Sequence, residues 1–217
     1  MTQTASSTDT APREDLPDSL GFGFAEIAAL LRISGGPQAE ASAKVLHLER
    51  ELADARCVSA GASSLVARGL ATADADGGLS VAGAVAATAQ TLGSAVRWIQ
   101  IDLVTPDSTD NVFSIEGSDY AILAQPRAHF SWFVMARNPG LTGAQADFAV
   151  VKAHLDAHAQ AGASLLNHQD PGHRLLVKRA GDAYTVGLLP AGAERAEEEG
   201  PLDEAAVTAH IERFRAA

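Results

Sequence analysis

Between positions 154 and 173 lie six side chains able to ligate a metal or move a proton: His154, Asp156, His158, His168, Asp170 and His173. His154 and His158 stand four apart in an apolar-periodic segment, so on a helix both imidazoles share one face and could meet a single ion. The string 154-HLDAH-158 lacks the glutamate beside the first histidine that zinc peptidases use as general base. His168 and His173 fall in 167-NHQDPGH-173, a polar turn where solvated side chains are the plainer reading. A metal-dependent enzyme or metal sensor using His154, His158 and His173 is one alternative, not the leading one.

Other chemistry has less material. There is no Gly-x-Ser-x-Gly, and no GxGxxG follows a strand; 187-GLLPAG-192 lacks the Lys-Ser/Thr of a phosphate loop. The single cysteine, Cys57, sits in the apolar-periodic stretch 44-KVLHLERELADARCVSA-60 and reads as a small packed residue; His47, ten positions before it, is out of its reach. Asp74 and Asp76, followed by Gly77-Gly78, read as turn formers rather than an acid/base pair. No catalytic, cofactor-binding or metal-ligating residue is assigned, and the expectation is a protein that is not an enzyme and carries no cofactor.

The elements that would position any site come next. The chain has 217 residues, 47% apolar and 20% charged, enough for one core or two fused halves. Sixteen Lys and Arg face 27 Asp and Glu, a formal charge of −11 that repels phosphate backbones. No nucleic-acid partner is expected. No long apolar run is present and the N-terminus has no basic-then-apolar segment, so the expectation is a cytoplasmic protein with no membrane partner.

Residues 1–18, rich in Thr, Ser, Pro and Asp, read as a disordered leader, and 19–217 as one α+β domain with halves of approximately 19–140 and 141–217. Helical spacing runs through 24–33, with Phe24, Ile27, Leu30 and Leu31 on one face, then through 39–57 and 61–69, the last ending at Gly69. Residues 71–78 form a turn and 79–92 an alanine-rich helix or helix pair. From residue 96 the period changes to 2. Strands at 96–104, 111–115, 119–125 and 128–137 make an antiparallel meander that needs helices on one face. Residues 143–166 read as one long helix, 174–189 as a hairpin turning at Ala180-Gly181-Asp182, 194–200 as an acidic loop, and 203–217 as a closing helix with Val207, Ile211 and Phe214 inward. The two hairpins echo each other: 115-IEGSDYAIL-123 and 179-RAGDAYTVGL-188 each set Gly, then Asp, then Tyr at the return strand.

Six of the eleven aromatics (Trp98, Phe113, Tyr120, Phe130, Trp132 and Phe133) fall in the meander. If alternation holds, half of them point away from the helices, toward a second packing layer or a partner. Phe130, Trp132 and Val134 share one side of their strand. Trp98 shares a face with Gln100 and Asp102, polar company that places it on the solvent side. The expected partner-binding residues are therefore Trp98, Gln100 and Asp102, with Thr105, Asp107 and Asp110 in the adjoining loop.

Residues 64–89 have the look of a winged helix-turn-helix. Their candidate recognition helix, 79-LSVAGAVAATAQTL-92, contains no Arg or Lys to read a base edge, so the motif is expected to pack beside the sheet. An acidic winged-helix-derived regulator or scaffold is a further alternative.

Four stretches together resemble the EspG family, the cytosolic chaperones of mycobacterial type VII (ESX) secretion. They are 24-FAEIAALLRI-33, 65-LVARGLATADADGGLS-80, 117-GSDYAIL-123 and 170-DPGHRLLVKRAGDAYTVGLLP-190, followed by the closing helix 203-DEAAVTAHIERF-214. The likeness spans roughly 20–216, with an unusually short connection between the meander and the last hairpin. It implies a central antiparallel twisted sheet of two quasi-equivalent halves with flanking helices. It also implies, as client, the hydrophobic tip of a helical secretion substrate: a PE–PPE heterodimer or a WXG100-like protein.

Overall fold

The structure, a computed structural model, describes residues 19–75 and 77–217; the expected leader and Asp76 lie outside them. In chain order the elements are β1 (Leu20–Gly23), α1 (Phe24–Ser34), α2 (Gly36–Val45), α3 (Glu49–Ala53), α4 (Ala55–Ala67), β2 (Ala71–Ala73), β3 (Leu79–Val81) and α5 (Gly83–Ser94). The meander follows as β4 (Arg97–Val104), β5 (Thr109–Glu116), β6 (Ala121–Arg127) and β7 (Ser131–Ala136). Then come α6 (Gly143–Ala157), β8 (Gly162–Asn167), β9 (His173–Ala180), β10 (Ala183–Pro190), β11 (Glu197–Leu202) and α7 (Glu204–Ala216).

Nine strands form one antiparallel sheet in the order β1-β7-β6-β5-β4-β8-β9-β10-β11, with β4 at its centre. The fold is therefore α+β, an antiparallel sheet flanked by helices. Strand alternation on β4 sends Trp98 to one face and Ile99, Ile101 and Leu103 to the other. Two cores result, on opposite faces. The first joins Phe22, Ile27, Leu30, Leu31, Leu65 and Leu92 to Phe113, Ile115 and Trp132. The second joins Phe148, Val151, Leu155, Val207 and Ile211 to Ile99, Ile101, Leu165, Val177 and Tyr184. Each fully buried Leu, Ile or Phe contributes about 1.5–3 kcal/mol, so burial is a large term in holding both layers to the sheet.

Local signals explain where the helices begin. Thr142 and Gln145 form a reciprocal capping box at α6, and the Asp203 carboxylate accepts from the Ala206 N–H at α7. Gly61 lets α4 lie against α1, since a Cβ there would fall 1.8 Å from the Ala25 carbonyl oxygen.

Several expected elements differ. The single helix over 39–57 is broken at 46–48, where His47 adopts φ +57° between the buried Leu46 and Leu48, and again at Asp54, which caps α4. Residues 79–81 pair with 71–73 as a hairpin instead of starting a helix, so the presumed recognition helix loses its first turn. The long helix over 143–166 stops at Ala157, and 162–167 is a strand wedged between β4 and β9. Its period-2 signal, Ala163, Leu165 and Asn167 buried, is too short to stand out after an alanine-rich helix. The acidic loop at 194–200 is largely the edge strand β11, recruited by the free edge of β10. Phe130 is not in the strand: it sits in a tight turn over 128–130 with φ +55°, 77% exposed, edge-on to Phe24.

Candidate functional site

The expected solvent-facing Trp98 is buried. It packs beneath α2, its indole N–H donates to Ser42 Oγ at 3.1 Å, and the Ser42 hydroxyl donates to the Leu92 carbonyl at 2.7 Å. The alternation was read correctly, but β4 is covered on both faces at its Arg97 end, so polar company along one strand did not mean solvent. Gln100 and Asp102 share that face beyond the helical layer and are half-buried. Asp102 accepts from Gln100, Asn111 and Arg174, all at 2.6 Å. Thr105 closes the β4–β5 turn on Ser108, Asp107 is exposed beside it, and Asp110 pairs with Gln125 and Arg127. Gln100, Asp102, Thr105 and Asp110 are thus tied into hydrogen-bonded pairs on the sheet surface, and none of them lines the groove beside Tyr120 or the trough beside α7.

The histidines do not converge. His154 and His158 sit side by side with ring centroids 5.0 Å apart and planes tilted by 54°, and His154 Nε2 lies 3.2 Å from the Val104 carbonyl oxygen. That end of β4 aligns, through Gly162, with Lys178 on β9, whereas His173 begins β9. Five residues of strand separate the two levels, about 16 Å. His168 instead meets Gln100 at 3.2 Å. Among the described residues no three His, Cys, Asp or Glu side chains are grouped to hold a metal. On α4, Cys57 is half-buried, and burial, then Asp54 and Glu51, push its thiol up, away from thiolate chemistry.

The aromatics split evenly. Trp98, Phe113 and Trp132 are core, while Tyr120, Phe130 and Phe133 are exposed. Tyr120 borders a wide concavity, a groove of about 1050 Å³ at the Arg97 end of the sheet. Ala84, Ala87 and Thr88 of α5 form one wall, and Ile122, Val134 and Ala136 form the floor. On its rims stand Val96, Tyr120 and Leu141, exposed by 55%, 51% and 36%.

The Tyr120 rim is held rigidly. Gly117 N–H donates to the Tyr120 carbonyl at 2.9 Å, Ser118 N–H to Ser94 Oγ at 3.1 Å, and Gln90 to the Asp119 carboxylate at 2.6 Å. Only glycine fits at 117, because a Cβ there would meet Ser94 Oγ at 2.8 Å and the Thr91 Cα at 2.9 Å. The turn is thus clamped to α5, and Tyr120 projects from it.

Beneath the groove lies an ion cluster. Glu116 accepts from Arg97 at 2.9 Å and from Arg137, and faces Arg215 at 2.5 Å. Arg215 of α7, nearly fully buried, also pairs with Asp147 of α6. Burial pushes the Asp147 carboxyl up to about 6, against the opposing pull of Arg215. Burial acts the same way on Glu116, but Arg137, Arg215 and Arg97 together outweigh it and hold that carboxyl below its ordinary value. Gly143 leaves room for the cluster, since a Cβ there would lie 2.2 Å from the Arg215 guanidinium. Glu116 and Arg137 line the groove, so its floor is tied to α6 and α7 as well as to the meander. Val96 and Leu141 were not among the residues expected from sequence; Tyr120 was expected only as one of six meander aromatics, and the Gly-Ser-Asp turn before it was the local sign that it leaves its strand.

No family model matches the chain, and no curated protein matches it.

Proposed function

We propose that the protein is a non-catalytic, chaperone-like binding module of the EspG kind, acting in the cytosol on a helical client of a type VII secretion system. The carrying observation is the groove with Val96, Tyr120 and Leu141 exposed around one apolar floor. Apolar side chains gathered on a concave surface mark a site that covers another molecule's apolar segment. The sequence resemblance supports the same reading, because 117-GSDYAIL-123, one of the stretches that carries it, is the groove's rim. Helical layers on opposite faces of one sheet also suit an architecture of two quasi-equivalent halves. The client class is that of the resemblance, a PE–PPE heterodimer or a WXG100-like helical protein, held by its hydrophobic tip.

The test is co-expression with such a helical protein encoded beside it, read by co-elution on size exclusion. The wild type forms a complex, and the Tyr120→Asp/Leu141→Asp double variant loses it while keeping its melting temperature. Undiminished co-elution of the variant would sink the groove assignment.

One observation favours a second reading. The β2–β3 hairpin directly follows α4, giving α1, α2, α4 and the hairpin the order of a winged helix. A winged-helix-derived scaffold therefore stands as the alternative. The chain's acidity argues against its use on DNA, and the same co-elution experiment separates the two.

A further inference from the structure

A second concavity lies in the other half of the sheet and against the other face. It is a trough of about 710 Å³ between α7 and the edge strand β11. Its floor is Leu175, Val186, Leu188 and Phe214. On β10 the side chains facing the second core run Tyr184, Val186, Leu188; the first two are 2% and 3% exposed, and Leu188 is 43% exposed. The apolar stripe therefore continues past the helices that should cover it. Among the described residues, five helices precede the meander, whereas on this face α6 and α7 are the helices that pack, and they leave Leu188 at the β10–β11 margin exposed.

The walls of the trough are charged. The register Val186↔Glu199 and Leu188↔Glu197 puts both glutamates on the same face as the bare leucine. Asp170 adds a third carboxylate. Glu199 lies 3.4 Å from His210 of α7, and Glu197 has no ion-pair partner among the described residues. Glu198, on the opposite face, is already held by Lys178 at 2.8 Å. Among the described residues that line it, Arg213 is the one permanent cation.

We propose that this trough is a second docking site, for a cationic amphipathic helix of another protein. An apolar stripe on that helix would seat on Leu188 and Phe214, and its flanking Lys or Arg residues would face Glu197, Glu199 and Asp170. A helix suits the site better than an added strand. It would extend the layer that α7 begins, at the usual helix spacing, whereas the outer edge of β11 carries Pro201, which has no N–H to donate. The site is separate from the groove under Tyr120, and its test uses different residues.

The probe is a labelled synthetic Leu/Lys amphipathic helix of about five turns, titrated by fluorescence anisotropy at physiological salt against the full chain. A Leu/Glu helix of the same pattern is the counter-probe. The Leu/Lys helix binds and the Leu/Glu helix does not. Leu188→Asp weakens binding roughly tenfold or more, and Glu197→Gln/Glu199→Gln weakens it about fivefold. The charge-matched control Glu40→Gln/Glu49→Gln, both exposed and outside the lining of the trough, changes it by less than about twofold. The proposal is overturned if the Leu/Lys helix does not bind, if the control weakens binding as much as the glutamate pair, or if Leu188→Asp has no effect. The latter two outcomes would mean that bulk acidity, not the trough, attracts the probe. Thermal melts show whether each variant is folded.

Discussion

Two hairpins of this molecule are written almost alike and end differently. In 115-IEGSDYAIL-123 and 179-RAGDAYTVGL-188 a glycine and an aspartate precede a tyrosine. Tyr184 is 2% exposed, edge-on to Phe148 at 5.4 Å, with its hydroxyl accepting from Arg179 at 3.3 Å. Tyr120 is 51% exposed on the rim of a groove. The cause is where each ladder stops. β9 and β10 pair up to Ala180↔Ala183, enclosing only Gly181 and Asp182, so Tyr184 is already in register, opposite Arg179. The β5–β6 ladder stops at Glu116↔Ala121 and leaves residues 117–120 outside it. A residue in a ladder is assigned a face; one beyond the ladder is free to project. Two further turn residues separate a core tyrosine from a surface one.

That comparison can be broken first at its buried member. Tyr184→Ala should cost about 3–5 kcal/mol in urea unfolding, since it empties an aromatic site in a packed core. A loss below about 1 kcal/mol would mean that the second core is loosely packed.

The ion cluster that joins the two regions gives a pH signature. Asp147 holds its proton more tightly in the native state, with its pKa up at about 6 against an ordinary carboxyl value of 3.8. Its contribution to stability is therefore full below the unfolded value and is lost as pH rises through the native one. Glu116 acts oppositely: with its native pKa lowered from 4.5, its contribution is lost as pH falls below that value. Stability should thus decline between pH 4 and 6 on account of Asp147, and Asp147→Asn should flatten that decline. Denaturant midpoints taken across this window in both proteins check the sign.

The turns themselves sharpen the contrast. Gly117→Ala should cost about 1–3 kcal/mol by driving the turn off α5, and it should weaken client binding as well. Gly181→Ala places a side chain at φ +64° with open space around it, so only backbone strain remains, about 1 kcal/mol. Equal losses at the two glycines would show that α5 yields to the added methyl.

The smallest effect belongs to the exposed tyrosine. Tyr120→Ala should change stability by no more than about 0.5 kcal/mol while reducing client affinity. A large stability loss would move Tyr120 from rim to core.

Much of the architecture was written locally. Period-2 alternation marked β4 to β7, the Gly181-Asp182 turn marked the second hairpin, and Val207, Ile211 and Phe214 marked the buried face of α7, all of them buried. Periodicity of this kind survives in a single segment because one face of that segment meets the core. What a single segment does not carry is which second element covers its other face. Trp98 beside Gln100 and Asp102 looked solvent-facing, yet α2, some fifty residues earlier, closes over it. Residues 162–167 became a strand because β4 and β9 flank an open slot, not because six residues of weak alternation demanded it. The groove at Val96, Tyr120 and Leu141 gathers side chains from three connections that share no local pattern. Local propensity and alternation were properties of the sequence; the covering of faces, and hence every concavity, was decided by which distant elements packed together.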